Sequence, residues 1–284
     1  MSLQTLASLP PLHIASLLHQ YGLRPKKSLG QNFLHDSSIL IKIIRVSGIQ
    51  ADDTVLEIGP GFGSLTRYLA LAARQVIAVE LDERLLAPLK SVISGYTNIR
   101  LIHADILKVS LSQLLDSSGY LVVANIPYYI TSVLLRHLLE GSFRPRRLVL
   151  TVQKEVAARI CATPGDMSLL ALSVQVYGHP VVLTNIPAGA FYPVPKVDSA
   201  VVGIDIYPTP LFSTPVLDTF FRLIKAGFSQ KRKTIQNALS ASFGLNKAEI
   251  ERLLHAAGID PRRRAETLSL DEWGVLTGVY ASRE

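Results

Sequence analysis

Val55-Leu56-Glu57-Ile58-Gly59-Pro60-Gly61-Phe62-Gly63 runs directly into Ser64-Leu65-Thr66-Arg67-Tyr68-Leu69. The first residues read as a buried parallel strand, the middle as a glycine-rich turn, and the last as the start of a helix. Glycine lets a backbone approach a ligand closely, and the free amides at a helix start favour polar or anionic groups. A nucleotide-like cofactor is therefore expected at this turn. The dinucleotide fingerprint G-x-G-x-x-G does not fit it, because counting from Gly59 arrives at Ser64 and counting from Gly61 arrives at Thr66.

The pattern that does fit is E-x-G-x-G-x-G, at Glu57, Gly59, Gly61 and Gly63. It resembles the first motif of the class I S-adenosylmethionine (SAM)-dependent methyltransferases. That resemblance implies a Rossmann-like α/β sheet and a cofactor without a pyrophosphate, so that the loop has only an amino-acid tail and a ribose to hold.

Beyond the turn, apolar strands at residues 76–81, 99–105, 120–126 and 148–152 alternate with helical stretches, the pattern of a doubly wound α/β sheet. Ligands of such sheets bind at the carboxyl ends of the strands, which singles out Glu80, Asp105 and Asn125. Glu80 lies roughly twenty residues past the glycine loop, where an acid grips ribose hydroxyls. An acid in Glu80-Leu81-Asp82-Glu83 also suits a helix N-terminus. Asp105 can accept from the exocyclic amine of an adenine.

The chain has 284 residues, a formal net charge of +7 and a pI of about 9.5. Its length accommodates one large domain and one small one, and its basicity is compatible with a polyanionic partner. Cys161 is the single cysteine, which excludes an internal disulfide framework and a cysteine-based zinc cluster. The histidines show no close ligand spacing, and no metal is expected. No apolar stretch reaches the ~20 residues needed to cross a bilayer, and the opening residues lack a secretory pattern. A soluble, unprocessed, cytoplasmic chain is expected, and a monomer.

Residues 1–50 read as a helical lead-in, with Leu12, Ala15, Leu18 and Tyr21 at helical spacing and a helix start at Asp36-Ser37-Ser38. Between them lie the basic linker Arg24 to Lys27 and Gly30-Gln31-Asn32-Phe33-Leu34, whose two amides can close over a polar cofactor. Residues 51–207 form the expected cofactor-binding domain, ending in an alternating strand over residues 197–207. Residues 208–284 follow a proline-rich linker as a small helical domain, expected to contact RNA through Lys231-Arg232-Lys233 and Arg262-Arg263-Arg264.

Asn125-Ile126-Pro127-Tyr128-Tyr129 names the chemistry. N/D-P-P-Y and its variants mark methyltransferases that modify exocyclic base amines or amide nitrogens. Adenine N6 is a poor nucleophile, because its lone pair is delocalised into the ring. A site that acts on it must accept hydrogen bonds from the amine, and the Asn125 side-chain oxygen and the Ile126 carbonyl, held outward by Pro127, can do so. Tyr128 can stack on the base, a contact worth ~1–3 kcal/mol.

With the glycine loop, these segments resemble the ribosomal RNA adenine N6,N6-dimethyltransferases of the KsgA (RsmA) group. Further matching segments are Gly30 to Leu34, Glu80-Leu81-Asp82, Gln153-Lys154-Glu155-Val156-Ala157, Phe191-Tyr192-Pro193-Val194-Pro195-Lys196-Val197-Asp198-Ser199-Ala200-Val201-Val202 and Phe228-Ser229-Gln230-Lys231-Arg232-Lys233-Thr234. At Leu169-Leu170, before Ala171-Leu172-Ser173, the chain departs from the family's usual Tyr-Gly pair.

The resemblance implies that Asn32, Leu34, Gly59, Gly61, Glu80, Asp105 and Asn125 contact SAM, and that Tyr128 and Phe191 sandwich the target adenine. It also implies the transfer of two methyl groups to each of two adjacent adenines near the 3′ end of 16S small-subunit ribosomal RNA, and a role in small-subunit biogenesis. Two other readings stay open: a large-subunit methyltransferase of the macrolide-resistance type, and a non-enzymatic ribosome-assembly factor.

Overall fold

The computed structural model describes residues 6–127 and 130–283. An amphipathic stretch forms helix α1 (Ile14–Gln20), a 3-10 turn (Lys27–Leu29) ends at Gly30, and a two-residue strand β1 (Phe33–Leu34) follows. Asp36 accepts from the backbone N–H groups of Ser38 and Ile39 and so caps α2 (Ser37–Ser47), which buries Leu40, Ile43 and Ile44. Strands and helices then alternate through β2 (Thr54–Ile58), α3 (Ser64–Ala72), β3 (Gln75–Glu80), α4 (Glu83–Ile93), β4 (Ile99–His103), α5 (Leu111–Leu114), β5 (Leu121–Asn125), α6 (Thr131–Leu139) and β6 (Arg147–Gln153). The chain continues through α7 (Lys154–Ile160), α8 (Leu169–Gln175), β7 (Gly178–Ile186), β8 (Phe191–Tyr192) and β9 (Ser199–Ile206).

Among the described residues, seven strands form one sheet in the order β4-β3-β2-β5-β6-β9-β7, and β1 pairs with β8 apart from it. From β4 to β6 all neighbours are parallel, as strands joined by crossover helices must be. Val55, Leu56, Val76, Leu121 and Val122 are completely buried, which explains why these strands read as unbroken apolar runs: helices cover both faces. From β2 the chain steps outward to β3 and β4, then returns to the other side of β2 as β5. This reversal opens a crevice at the carboxyl ends of β2 and β5, where ligands of such sheets bind.

The chain forms two compact units, Met1–Ala157 with Val181–Ile206, and Ala158–Pro180 with Tyr207–Glu284. The division keeps a boundary between residues 206 and 207 and adds residues 158–180 to the second unit, where Tyr207 N–H donates to Tyr177 O (2.9 Å) and Leu211 N–H to Val176 O (3.1 Å), and the Tyr177 and Phe221 rings stack with centroids 6.4 Å apart. Residues 158–180 thus group with the C-terminal helices. Those helices are α9 (Thr214–Gly227), α10 (Ile235–Phe243), α11 (Lys247–Ala256) and α12 (Leu270–Ala281). Capping boxes at Asn246 and Ser269 start α11 and α12. Trp273 and Phe220 are fully buried in this unit. Among the described residues no helix is long and apolar enough to cross a membrane.

Candidate active site

The carboxyl ends of β2, β3 and β5, with the residues after β4, open on a cavity of about 240 Å³. Asn32, Leu34, Gly59, Gly61, Glu80, Asp105, Asn125, Ile126 and Pro127 all line it. Tyr128 lies outside the described residues.

Gly59, Gly61 and Gly63 have φ of +71°, +59° and +83°, backbone that L side chains rarely adopt. At Gly61 space is short as well, since a Cβ there would come within 2.9 Å of Phe33 Cδ1. Phe33 meets Phe62 edge to face, with centroids 4.9 Å apart, and both rings join Ile14 and Leu18 of α1 in one buried cluster. The loop is thereby packed against Phe33. No side chain caps α3, and its first residues, Ser64 and Leu65, line the cavity.

Glu80 is fixed by two backbone donors: Gly61 N–H to Oε2 (3.0 Å) and Asp82 N–H to Oε1 (2.8 Å). Burial raises its carboxyl pKa, while these donors oppose the rise and the nearby Asp82 adds to it. Glu57 lies deeper. Burial pushes its carboxyl up to about 8, and repulsion from Glu80 adds to the rise. Glu57 Oε2, Thr66 Oγ1 and Ser64 Oγ are all buried without a hydrogen-bond partner. Glu57 and Ser64 line the cavity. Unpartnered polar atoms beside apolar walls such as Leu81, Ile106 and Leu107 suit a ligand that has amine or hydroxyl groups at one end and an apolar face at the other. Asp105 accepts from Leu107 N–H at 3.1 Å and has Lys108 Nζ 3.6 Å away.

A strap at residues 26–32 contributes Leu29, Gly30, Gln31 and Asn32 to the cavity wall. Asn125 Nδ2 donates to Asn32 O at 3.0 Å. A carbonyl can only accept, so this contact fixes which end of the Asn125 amide is nitrogen and leaves the oxygen as its acceptor end. Asn32 Nδ2 donates to Gly30 O at 3.2 Å. Gln31 does not offer its amide to a ligand: Oε1 accepts from Lys26 N–H (2.7 Å) and Nε2 donates to Asp82 Oδ2 (2.8 Å). Asp82 both caps α4 and receives Gln31 and Arg84, whose hydrogen bonds hold its carboxyl well below the usual carboxylate range. In the sequence Asp82 shows only as a helix-start acid; its partner Gln31 is 51 residues away.

Two further expectations concern Phe191 and the basic runs of the helical unit. Phe191 is only 1 % exposed and packs in the sheet's core cluster with Leu34, Val123 and Ile186. Pairing of β8 with β1 sets Phe191 opposite Leu34, and the ring does not line the cavity. In the helical unit, the Arg262 to Arg264 run is already engaged by carboxylates: Arg262 by Asp260 (3.1 Å), Arg263 by Glu272 and Arg264 by Glu266 (3.7 Å). Lys231, Arg232 and Lys233 are exposed.

The chain as a whole is similar to known proteins. A relative from Dehalococcoides mccartyi, called ribosomal RNA small subunit methyltransferase A, is 48 % identical over 97 % of this chain and 96 % of its own length. Among solved structures, a dimethyladenosine transferase from Plasmodium falciparum superposes with a TM-score of 0.76 at 27 % identity, covering 87 % of this chain and 97 % of that one. The 23S rRNA methyltransferase ErmE reaches 0.71 at 29 % identity, over 87 % and 99 %. The model of the ribosomal RNA adenine dimethylase family matches residues 22–280, and with it the glycine loop, the strand-end acids and Asn125: the chain belongs to that family of methyltransferases.

Proposed function

We propose that the protein transfers two methyl groups in succession from SAM to N6 of each of two adjacent adenines near the 3′ end of small-subunit ribosomal RNA, during assembly of the subunit in the cytoplasm. The observation that carries this reading is the Asn125 amide. Its nitrogen is committed to Asn32 O, so its oxygen is the end that accepts from an amine. With the Ile126 carbonyl, that oxygen would take both N6 hydrogens and favour a pyramidal nitrogen whose lone pair points out of the ring plane.

The residues present fit SAM. Glu80, held by two backbone donors, would accept from the ribose hydroxyls, Asp105 from the adenine amine, and the glycine loop with Glu57 and Ser64 would face the amino-acid end. When bound, SAM supplies a methyl group activated on a positive sulfur. The protein's task is then alignment: it brings the amine to the methyl in one orientation, a contribution that can reach ~7–11 kcal/mol. The target adenine must leave its stack to reach Asn125. Exposed Lys231, Arg232 and Lys233 would meet backbone phosphates.

The test is methyl transfer from labelled SAM to small subunits that lack N6-dimethyladenine, with mass-spectrometric mapping. The expected product is a dimethylated adjacent pair near the 3′ end, lost in Asn125→Ala, which retains subunit binding. Full activity of Asn125→Ala would refute the mechanism. Transfer to large-subunit RNA alone would refute the substrate, and subunit binding without any transfer would point to an assembly factor.

A further inference from the structure

We infer that Gln31 and Asp82 form a latch that positions Asn125. The inference rests on the reading of Asn125 as acceptor of the target amine. The strap is a closed unit: Leu29 N–H donates to Lys26 O (3.2 Å), Gly30 N–H to Lys27 O (3.0 Å) and Gln31 N–H to Lys26 O (3.3 Å), and the Gln31 side chain accepts from Lys26 N–H. It therefore moves as one piece. On one side it is tied to the start of α4 by Gln31 Nε2 on Asp82 (2.8 Å) and by Lys26 Nζ, 3.6 Å from the same carboxylate. On the other it runs into β1, which pairs with β8. Asn32 lies between these anchors, and its carbonyl holds the Asn125 amide.

Asp82 also donates its N–H to Glu80, which in turn accepts from Gly61. One line of contacts thus runs from the glycine loop through Glu80, Asp82 and Gln31 to the strap and Asn125. A closed strap sets the Asn125 oxygen at the transfer end of the cavity; an open strap removes the Asn32 carbonyl and leaves the amide free to rotate. Gln31 and Asp82 are positioning residues, acting on the reaction through Asn125.

Methyl transfer is measured at saturating SAM and RNA for wild type, Gln31→Ala, Gln31→Glu, Gln31→Lys, Asp82→Ala and the double alanine variant. Gln31 is partly exposed, so its variants fold and decide the question even where Asp82→Ala does not. The expected result is a kcat about tenfold lower in Gln31→Ala, lower again in Gln31→Glu, where two carboxylates repel, and largely restored in Gln31→Lys, whose ammonium can donate to Asp82. The double variant falls no further than the worse single, because both changes break one link. A role confined to folding would lower Tm and leave kcat unchanged. Unchanged kcat in Gln31→Ala and Gln31→Glu, or single losses that multiply in the double variant, overturns the latch. Wild type that transfers no methyl fails the underlying reading instead. Release of labelled S-adenosylhomocysteine from the same proteins then still tests the latch: faster release from Gln31→Ala supports it and an unchanged rate overturns it.

Discussion

Glu57→Gln should make the protein's stability less sensitive to pH. The Glu57 carboxyl is buried, Oε2 has no hydrogen-bond partner, and Glu80 repels its charged form, so its pKa stands near 8 against an ordinary 4.5. Between these values the folded protein keeps the proton while the unfolded chain has released it. Stability therefore falls as pH rises through this window, by about 1.4 kcal/mol for each pH unit. Glutamine has nearly the same shape and no proton to lose, so the variant escapes the fall. The stability difference between variant and wild type should be small near pH 4.5 and widen by about 2.5 kcal/mol between pH 5.5 and 7.5. Taking the difference cancels the other titrating groups, except that Glu80 loses a repulsive neighbour wherever Glu57 is charged. Urea unfolding of the cofactor-free proteins, followed by far-UV circular dichroism at several pH values, measures it. A difference that stays constant from pH 5.5 to 7.5 would show that Glu57 is not held protonated by its surroundings.

Gly61→Ala should weaken S-adenosylhomocysteine binding at least tenfold by calorimetry, because φ is +59° and the new Cβ would press on Phe33; the left-handed backbone alone costs ~1–2 kcal/mol. Unchanged affinity would mean that the loop's shape does not depend on this glycine. Replacing Lys231, Arg232 and Lys233 together by alanine should reduce the salt slope of RNA binding by about 0.7–0.9 for each phosphate no longer neutralised. Arg262→Ala, whose guanidinium is already paired with Asp260, should leave that slope unchanged, and equal effects of the two would place phosphate on both clusters.

Local pattern made the parallel half of the sheet legible: apolar runs buried on both faces, a glycine turn and polar residues at strand ends. Glu80, Asp105 and Asn125 could be singled out because strand ends are where such sheets expose side chains to ligands. Strand β7 escaped for a local reason: Pro180 stands within it, and its exposed valines, Val181 and Val182, do not give the expected run. The contacts that shape the cavity were illegible for another reason, their separation along the chain. Phe191 enters the expected site only through the family resemblance, and its pairing opposite Leu34, far away in sequence, is what sets its ring in the core. Gln31 reads as a ligand-facing amide until Asp82 is found beside it.

The placement of β9 has a consequence for the protein's synthesis. Arg147–Gln153 lies between β5 and β9 in the finished sheet, with Leu148, Val149, Leu150 and Val152 buried, yet its partner at Ser199–Ile206 is made much later. A nascent chain that stalls anywhere over residues 154–198 presents an open, apolar strand edge, a template for pairing with another copy. Truncation there would yield an aggregation seed, and a ribosome that pauses late in this message would hold its most adhesive intermediate.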